Sequence, residues 1–214
     1  MGFVRTMPLL ALASLAALAV PHAATGQSMY LDVNGDGVCD SRDVLTSRVT
    51  FVDVYIVTDR NANGSQAVCP DSSSESGPLS LYGYEFILRA WGAGTVSYGS
   101  WIPATAVADF TISTGPRWNE TDYYTGFLTL MDARPPGRYR LGSLEVTVTG
   151  SPRLSIVSST TLEGDLRSGF ASYCLGADFD SALKLGSDFT DACGTAPAAP
   201  QTASTWESIR SLYH

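Results

Sequence analysis

Apolar and polar residues alternate with a period of two along most of the chain between residues 50 and 160. In residues 50–58, Val52, Val54 and Ile56 fall on one face, which is typical of a half-buried β-strand. Further segments with this pattern span residues 79–90, 95–102, 107–113, 123–131, 138–149 and 153–159, with weaker ones at 170–174 and 182–185. Because helical periodicity is almost absent here, the pattern predicts about eight or nine short strands.

Glycine and proline separate several of these strands at positions that predict turns. Residues 92–94 (Gly-Ala-Gly) lie between two alternating segments and predict a hairpin, and residues 150–152 (Gly-Ser-Pro) predict another turn. Short strands joined by regular turns predict an all-β fold, namely an antiparallel β-sandwich of immunoglobulin-like or jelly-roll type, over residues 50–194. The chain after residue 28 is long enough for one domain with a sizeable core.

The first 28 residues predict a secretory signal peptide. Arg5 provides the basic N-terminal region, residues 9–20 form an apolar run, and small residues follow, so cleavage is expected after Ala24 or Gly26. The apolar run is shorter than the roughly 20 residues of a membrane-spanning helix, and no later segment is long and apolar enough. We therefore expect a secreted protein that works outside the cell or at its surface.

Residues 32–43 carry oxygen-bearing side chains at a spacing that predicts a metal site. Counted from Asp32, they occupy positions 1, 3, 5, 9 and 12 of an EF-hand-like loop, and Gly37 at position 6 permits a sharp turn. With the backbone carbonyl of position 7, the predicted ligands are Asp32, Asn34, Asp36, Val38, Asp40 and Asp43. Ca²⁺ binds about six to eight hard oxygen donors, so Ca²⁺ is the expected cofactor. The alternative is an Asp/Asn/Gly-rich surface turn without metal.

This segment resembles single calcium-binding repeats of two extracellular families. It is similar to a dockerin repeat (D-x-N-x-D-G-x-x-[ND]-x-x-D), and to a thrombospondin type 3 or bacterial adhesin repeat, which also has a cysteine at the position of Cys39. An EF-hand usually ends with a bidentate Glu where this chain has Asp43. Dockerin repeats are followed by a helix, but residues 44–51 are rich in β-branched residues. The resemblance therefore implies calcium binding only.

The body of the chain resembles cohesin and related secreted bacterial sandwich modules at the level of the fold. This resemblance rests on residues 51–56 (FVDVYI), 83–88 (GYEFIL) and 137–144 (GRYRLGSL). Cohesins bind dockerins, so the resemblance implies a module that binds another extracellular protein. It identifies no binding-face residue in this chain.

All four cysteines lie after the predicted signal peptide, at Cys39, Cys69, Cys174 and Cys193. An even number in an exported protein predicts disulfide bonds, and four cysteines permit three pairings. No C-x-x-C spacing is present, which disfavours a zinc site. We favour the local pairs Cys39–Cys69 and Cys174–Cys193, the first of which would tie the predicted calcium loop to the rest of the domain.

Two further polar segments are weaker candidates for metal binding. Asp59, Asn61 and Asn63 repeat the opening of the first loop, but Ala67 and Pro70 stand at positions 9 and 12. This segment is either a half-site that other segments complete or an ordinary Asn-Gly turn. A third acidic group comprises Asp178, Asp180, Asp188 and Asp191. These residues either provide a further ligand to one of the two loops or are ordinary surface acids.

Aromatic residues in the middle strands favour a second interpretation, a carbohydrate-binding face. Exposed Trp and Tyr rings on β-sandwiches can stack on sugars, whereas rings at strand spacing more often belong to the core. The residues concerned are Trp91, Tyr98, Trp101, Trp118, Tyr123 and Tyr124.

Charge and histidine content argue against two classes of function. The chain has 13 Lys and Arg against 21 Asp and Glu; only Arg5 lies in residues 1–28, so the mature chain has 12 against 21, or −9, which disfavours nucleic acid. The only histidines are His22 and His214, so a histidine-dependent triad or a multi-histidine zinc site is excluded. Nothing pairs the carboxylates available to a glycosidase, which are Glu85, Glu120, Asp122, Glu145 and Glu163. We therefore expect no enzyme activity.

The C-terminal segment is predicted to be separate from the sandwich. Residues 195–203 form a Pro/Ala linker. Residues 204–214 begin with a capping box, Ser204 to Glu207, and place Trp206 and Ile209 on one face of a short amphipathic helix. Such a helix is unstable alone, so it is expected to dock on its own domain or on a surface or sorting partner. A frayed terminus is the alternative.

Together these features predict a secreted, calcium-binding β-sandwich that acts as a non-catalytic binding or structural module. Residues 29–49 are expected to form the calcium loop, packed on the sandwich. The alternatives are a carbohydrate-binding module and a cohesin-like or adhesin-like protein-binding module.

Overall fold

The structure is a computed structural model that describes residues 28–40, 42–60, 65–66, 79–129, 133–157, 160–164 and 166–172, and the backbone of residues 183–184. The prediction of an all-β, antiparallel fold is confirmed for these residues, whose one helical element is a 3-10 turn at Thr105–Val107. Several predicted features lie outside the described residues: residues 1–27, Asn61, Asn63, Cys69, Cys174, Cys193, the acidic group at 178–191, the linker 195–203 and the helix 204–214.

The described residues form nine strands in one antiparallel sheet. They are β1 (Ser28–Asp32), β2 (Phe51–Val57), β3 (Gly83–Pro103), β4 (Ile112–Ser113), β5 (Arg117–Trp118), β6 (Asp122–Leu128), β7 (Arg138–Val157), β8 (Gly169–Ala171) and β9 (Leu183–Lys184). The main order is β1-β2-β7-β3-β6-β4, with β5 beside β6 and β8 between β3 and β9. No helix in the described part of the chain has the length and apolar character to cross a membrane.

The alternation in the sequence correctly places the core residues of β2. Val52, Val54 and Ile56 are fully buried, while Phe51 on the other face is 45% exposed. The predicted strand at 107–113 is wrong over most of its length, because the chain forms the 3-10 turn and then only the two-residue β4. The prediction relied on apolar spacing, which a short turn that buries Val107 and Phe110 also satisfies.

Both predicted turns at glycine are wrong, because β3 and β7 each run through them without a break. Gly94 lies opposite Gly150, and Gly92 lies opposite Pro152, in a continuous antiparallel ribbon. Gly150 has a backbone φ of +77°, which is a conformation that favours glycine. The turn signals therefore mark a place where two paired strands change direction together, not two chain reversals.

The ribbon bends so far that β3 folds back over itself. The rings of Phe86 and Trp101 lie 5.1 Å apart, centroid to centroid, although both belong to β3. In a straight strand, residues 86 and 101 would lie about 50 Å apart, at roughly 3.3 Å per residue. Tyr98 in the second half of β3 also lies 5.4 Å from Tyr123 in β6, which pairs with the first half. The bend therefore brings residues from the two halves of β3 close to each other.

β1 is a strand that the sequence analysis assigned to the calcium loop. Its residues pair with β2 in antiparallel register, with Tyr30 opposite Tyr55 and Asp32 opposite Asp53. Met29 and Leu31 point into the core, and Asp32 ends the strand. The loop that follows therefore starts from a fixed point on the sheet.

Candidate metal site

The predicted calcium loop leaves β1 at Asp32 and turns sharply at its glycines. Gly37 has a φ of +76°, and a Cβ at this position would lie 2.9 Å from Arg138 Nη2 and 3.3 Å from the hydroxyl of Tyr55. The backbone conformation therefore favours glycine here, and a larger residue would also have to displace the ends of the Arg138 and Tyr55 side chains. This geometry is consistent with the turn predicted at position 6 of the loop.

The first and last predicted ligands, Asp32 and Asp43, are both buried. The carboxylate of Asp32 accepts hydrogen bonds from the backbone N–H groups of Gly35 (2.7 Å) and Gly37 (2.6 Å). The carboxylate of Asp43 accepts from Val33 N–H (2.8 Å) and Asp40 N–H (3.0 Å). Because Val33 directly follows Asp32, these bonds bring the two ends of the loop together.

The ligands predicted between these ends form a series of short local turns. Asn34 Oδ1 accepts a hydrogen bond from Asp36 N–H at 2.9 Å, and Asp36 Oδ1 accepts one from Val38 N–H at 2.8 Å. Each side-chain oxygen thus accepts a hydrogen bond from the backbone N–H group two residues later, as Asn and Asp commonly do in loops. The side chain of Val38 is 49% exposed, as expected if only its carbonyl were to bind a metal ion.

Arg42 joins two of the predicted ligands, a contact that the sequence analysis did not identify. Its Nη2 lies 2.6 Å from Asp36 Oδ2 and 2.6 Å from Asp40 Oδ2. Hydrogen bonds from the Arg42 side chain and backbone hold the pKa of Asp40 below its ordinary value. The available signal was a lone basic residue at position 11 of an acidic loop, but spacing alone does not show which way that side chain turns.

The donor set fits a hard divalent cation, although its side chains are not arranged around a common centre. Four carboxylates, one amide and one backbone carbonyl are the ligand types that Ca²⁺ prefers. Among the residues that the structure describes, no group of three or more His, Cys, Asp or Glu side chains converges as a metal site. Instead, the carboxylates accept hydrogen bonds from backbone amides and from Arg42.

The loop is anchored to the sheet through an aromatic stack. The hydroxyl of Tyr30 donates a hydrogen bond to the carbonyl of Gly37 at 3.0 Å. The Tyr30 ring stacks on Tyr55 with centroids 5.1 Å apart, and the guanidinium of Arg138 lies 5.5 and 5.0 Å from the two rings. Burial raises the pKa of Tyr30, so its hydroxyl remains a donor at neutral pH. Period-two alternation in residues 50–58 places Tyr55 on the face opposite Val54 and Ile56, but it does not predict the contact of Tyr30 with the loop.

Cys39, at position 8 of the loop, is not a free thiol. The other three cysteines lie outside the described residues, so the pairs Cys39–Cys69 and Cys174–Cys193 stay predictions. The second metal candidate also stays a prediction, since of its three oxygen-bearing residues only Asp59 is described.

The aromatic residues proposed as a sugar-binding face mostly belong to the core. Tyr123 and Tyr124 are completely or almost completely buried, and Tyr98 and Trp101 pack against the core cluster. For these four residues the core interpretation, which the sequence analysis gave as the more common one for rings at strand spacing, agrees with their burial. Trp91 and Trp118 remain exposed, at 41% and 57%.

Trp91 lies in a groove of about 570 Å³ between the end of the calcium loop and the bend of β7. Its indole N–H donates to Ser155 Oγ at 3.0 Å, and the guanidinium of Arg153 lies 4.9 Å from its ring centroid. Val44, Thr46 and Ser47 also line this groove.

Two of the carboxylates considered for catalysis have structural partners. Asp122 is fully buried and forms a two-point ion pair with Arg89. Glu85 Oε2 accepts a hydrogen bond from the Tyr124 hydroxyl at 2.9 Å, and burial raises the pKa of Glu85. These contacts join β3 to β6, so both carboxylates have a structural role in the pairing of these strands.

Comparison with known proteins identifies no relative. No protein-family model matches the chain, and neither the curated proteins nor the solved structures contain a match. The resemblances to dockerin, thrombospondin type 3 and cohesin modules therefore rest on the sequence segments alone.

Proposed function

We propose that the protein is a secreted or cell-surface β-module, without catalytic activity, that binds Ca²⁺ through the loop 32–43. The observation that carries this proposal is that Asp32 and Asp43, the predicted first and last ligands, are both buried, and that Asp43 accepts a hydrogen bond from the N–H of Val33, the residue after Asp32. The backbone N–H groups that bind these two carboxylates carry no net positive charge, so only a cation can compensate the carboxylate charge. A bound Ca²⁺ would supply that compensation.

The residues that would hold Ca²⁺ are those predicted from the sequence: Asp32, Asn34, Asp36, Val38, Asp40 and Asp43. The bound ion would neutralise carboxylate charge and link the start of the loop to its end. Because Tyr30 joins Gly37 to the sheet, a rigid loop would also hold β1 against β2. The function of the ion in this proposal is thus structural.

We further propose that the sheet forms a two-layered sandwich. The support is the folding of β3 over itself, which brings Phe86 against Trp101 and Tyr98 against Tyr123. One layer would contain β6 and the first half of β3, and the other β1, β2 and the second half of β3. The calcium loop would then lie at one end of the second layer.

The proposal is tested by calorimetric titration of the chelator-treated full chain with CaCl₂. We expect one Ca²⁺ per chain, and binding at least tenfold weaker in D36N, because the variant loses one ligand charge. Asn at position 36 keeps the Oδ1 acceptor that binds Val38 N–H, so the loop fold should survive. D109N is the matched control, since Asp109 pairs with Arg134 at the surface away from the loop. A wild-type chain that gives no heat of binding would contradict the proposal.

A second candidate function, carbohydrate binding, is favoured by the groove at Trp91. An exposed indole beside a guanidinium and several hydroxyl groups is suited to a sugar ring with hydrogen-bonding groups at its edge. We expect wild-type protein to be retained on an insoluble polysaccharide, and W91A to lose most of that retention. W118A replaces a tryptophan that is more exposed than Trp91 and lies outside the groove, so this variant should behave as wild type. Equal retention of both variants, or none for wild type, would remove this candidate.

A further inference from the structure

Arg42 is placed against the two predicted ligands that lie on the open side of the loop. Asp36 and Asp40 side chains are about one-third exposed, whereas Asp32 and Asp43 are buried. Arg42 Nη2 is 2.6 Å from one oxygen of each, and its Nε also donates to Asp40 Oδ2 at 2.9 Å. One guanidinium is thus paired with two carboxylates, those at positions 5 and 9 of the loop, and offsets one of their two negative charges.

An exposed ion pair of this kind contributes little to the stability of a fold. The Arg42 side chain is 65% exposed. Its significance lies in the identity of its partners, because the same carboxylate groups are those assigned to Ca²⁺. When a carboxylate that is paired with a guanidinium binds a metal ion, its ion pair with the guanidinium is weakened.

We propose that Arg42 is an internal counter-cation, which stabilises the metal-free loop and which Ca²⁺ must displace from Asp36 and Asp40. This inference rests on the proposed calcium site and adds a determinant of its affinity. Arg42 limits the repulsion among four carboxylates when calcium is scarce. It therefore lowers calcium affinity and stabilises the loop before the metal binds.

The opposite role for Arg42 makes the opposite prediction. If the guanidinium held Asp36 and Asp40 in a geometry ready for calcium, its loss would weaken binding, because the carboxylates would have to be ordered by the metal itself. If Arg42 competes with calcium, its loss strengthens binding. The direction of the change in Kd thus separates the two roles.

The test is calorimetric titration of the full chain with CaCl₂ at low ionic strength, using wild type, R42Q and R48Q. Glutamine keeps a polar side chain of similar length and removes the charge. Arg48 is an exposed arginine of the same connection, with no acidic partner among the described residues, so R48Q controls for the loss of one positive charge. We expect the Kd of R42Q to fall about fivefold or more, and that of R48Q to change less than twofold.

Thermal unfolding supplies a second readout. In chelator, R42Q should melt below wild type, because its carboxylates lack a counter-ion; in saturating calcium the two should melt together. An unchanged or higher Kd for R42Q overturns the inference while the calcium site stands. Failure of wild type and both variants to bind calcium overturns the proposed site and this inference with it.

Discussion

Replacing Gly150 with alanine should destabilise the protein by about 3 kcal/mol or more, a large share of the 5–15 kcal/mol typical of a domain. Gly150 lies at the bend of the β3–β7 ribbon with φ at +77°. A Cβ there would lie 2.6 Å from the carbonyl oxygen of Ala93 and 2.9 Å from Gly94 Cα. Both are backbone atoms of the paired strand, so relief of the clash requires the strands to separate.

A matched control isolates the clash from the cost of the backbone conformation. Gly115 has nearly the same φ, +75°, but an added Cβ meets nothing within 4 Å. G115A should therefore cost only about 1 kcal/mol, the usual penalty for a left-handed alanine. Urea unfolding of the two variants gives the comparison. If G150A and G115A lost the same free energy of unfolding, the ribbon would have to open easily at Gly150 and the bend could not be tightly packed.

The second large effect is expected for D122N, which should cost about 3 kcal/mol. Asp122 is fully buried at the start of β6, and its two oxygens bind Arg89 Nε and Nη2, each at 2.8 Å. Oδ2 also accepts from Thr160 Oγ1 and Thr161 N–H. Removing one partner of a buried pair costs about 3–5 kcal/mol, and the partial exposure of Arg89 favours the lower end.

D109N is the control for this prediction, because it breaks an aspartate–arginine pair at the surface. Asp109 is 52% exposed beside Arg134, so the variant should cost at most about 1 kcal/mol. Both variants are measured by urea unfolding at pH 7 in chelator, which removes any contribution of calcium. A loss for D122N no larger than that for D109N would contradict a structural role for the buried pair.

The pH dependence of the difference between wild type and D122N gives an independent check. Burial alone would raise the pKa of Asp122, but hydrogen bonds from Arg89, Thr161 and Thr160 outweigh it and hold the pKa well below the ordinary 3.8. A depressed carboxyl pKa stabilises the fold fully above the unfolded-state value, and this contribution is lost as the pH falls below it. The difference should therefore be constant from pH 7 to about 5 and shrink below about 4.

The fold was predictable as far as local pattern determines it. Alternation in residues 50–58 correctly identified β2 and its buried face. The turns predicted at residues 92–94 and 150–152 are wrong, because a turn signal does not show whether a chain reverses or bends beside a partner. That distinction depends on the pairing of β3 with β7, whose partners are about 40 to 70 residues apart in the chain.

The candidate site shows the same limit. Spacing predicted which oxygen-bearing side chains share the loop, because Asn and Asp form local turns wherever they recur at intervals of two. It did not predict the contact of Tyr30 with Gly37, nor that of Arg42 with Asp36 and Asp40. Those contacts depend on how the loop lies on β1 and β2, and on a rotamer of a long side chain.

Thermal unfolding of the wild-type chain over a series of free Ca²⁺ concentrations tests the central claim most directly. A ligand that binds only the folded state adds RT ln(1 + [Ca²⁺]/Kd) to the free energy of unfolding, about 1.4 kcal/mol for each tenfold rise above Kd. We expect the melting temperature to be lowest in chelator and to rise steadily with free calcium above Kd, and Mg²⁺ at the same concentrations to have a smaller effect because it requires a more rigid octahedral shell. Superimposable melting curves with chelator and with saturating calcium would contradict the account.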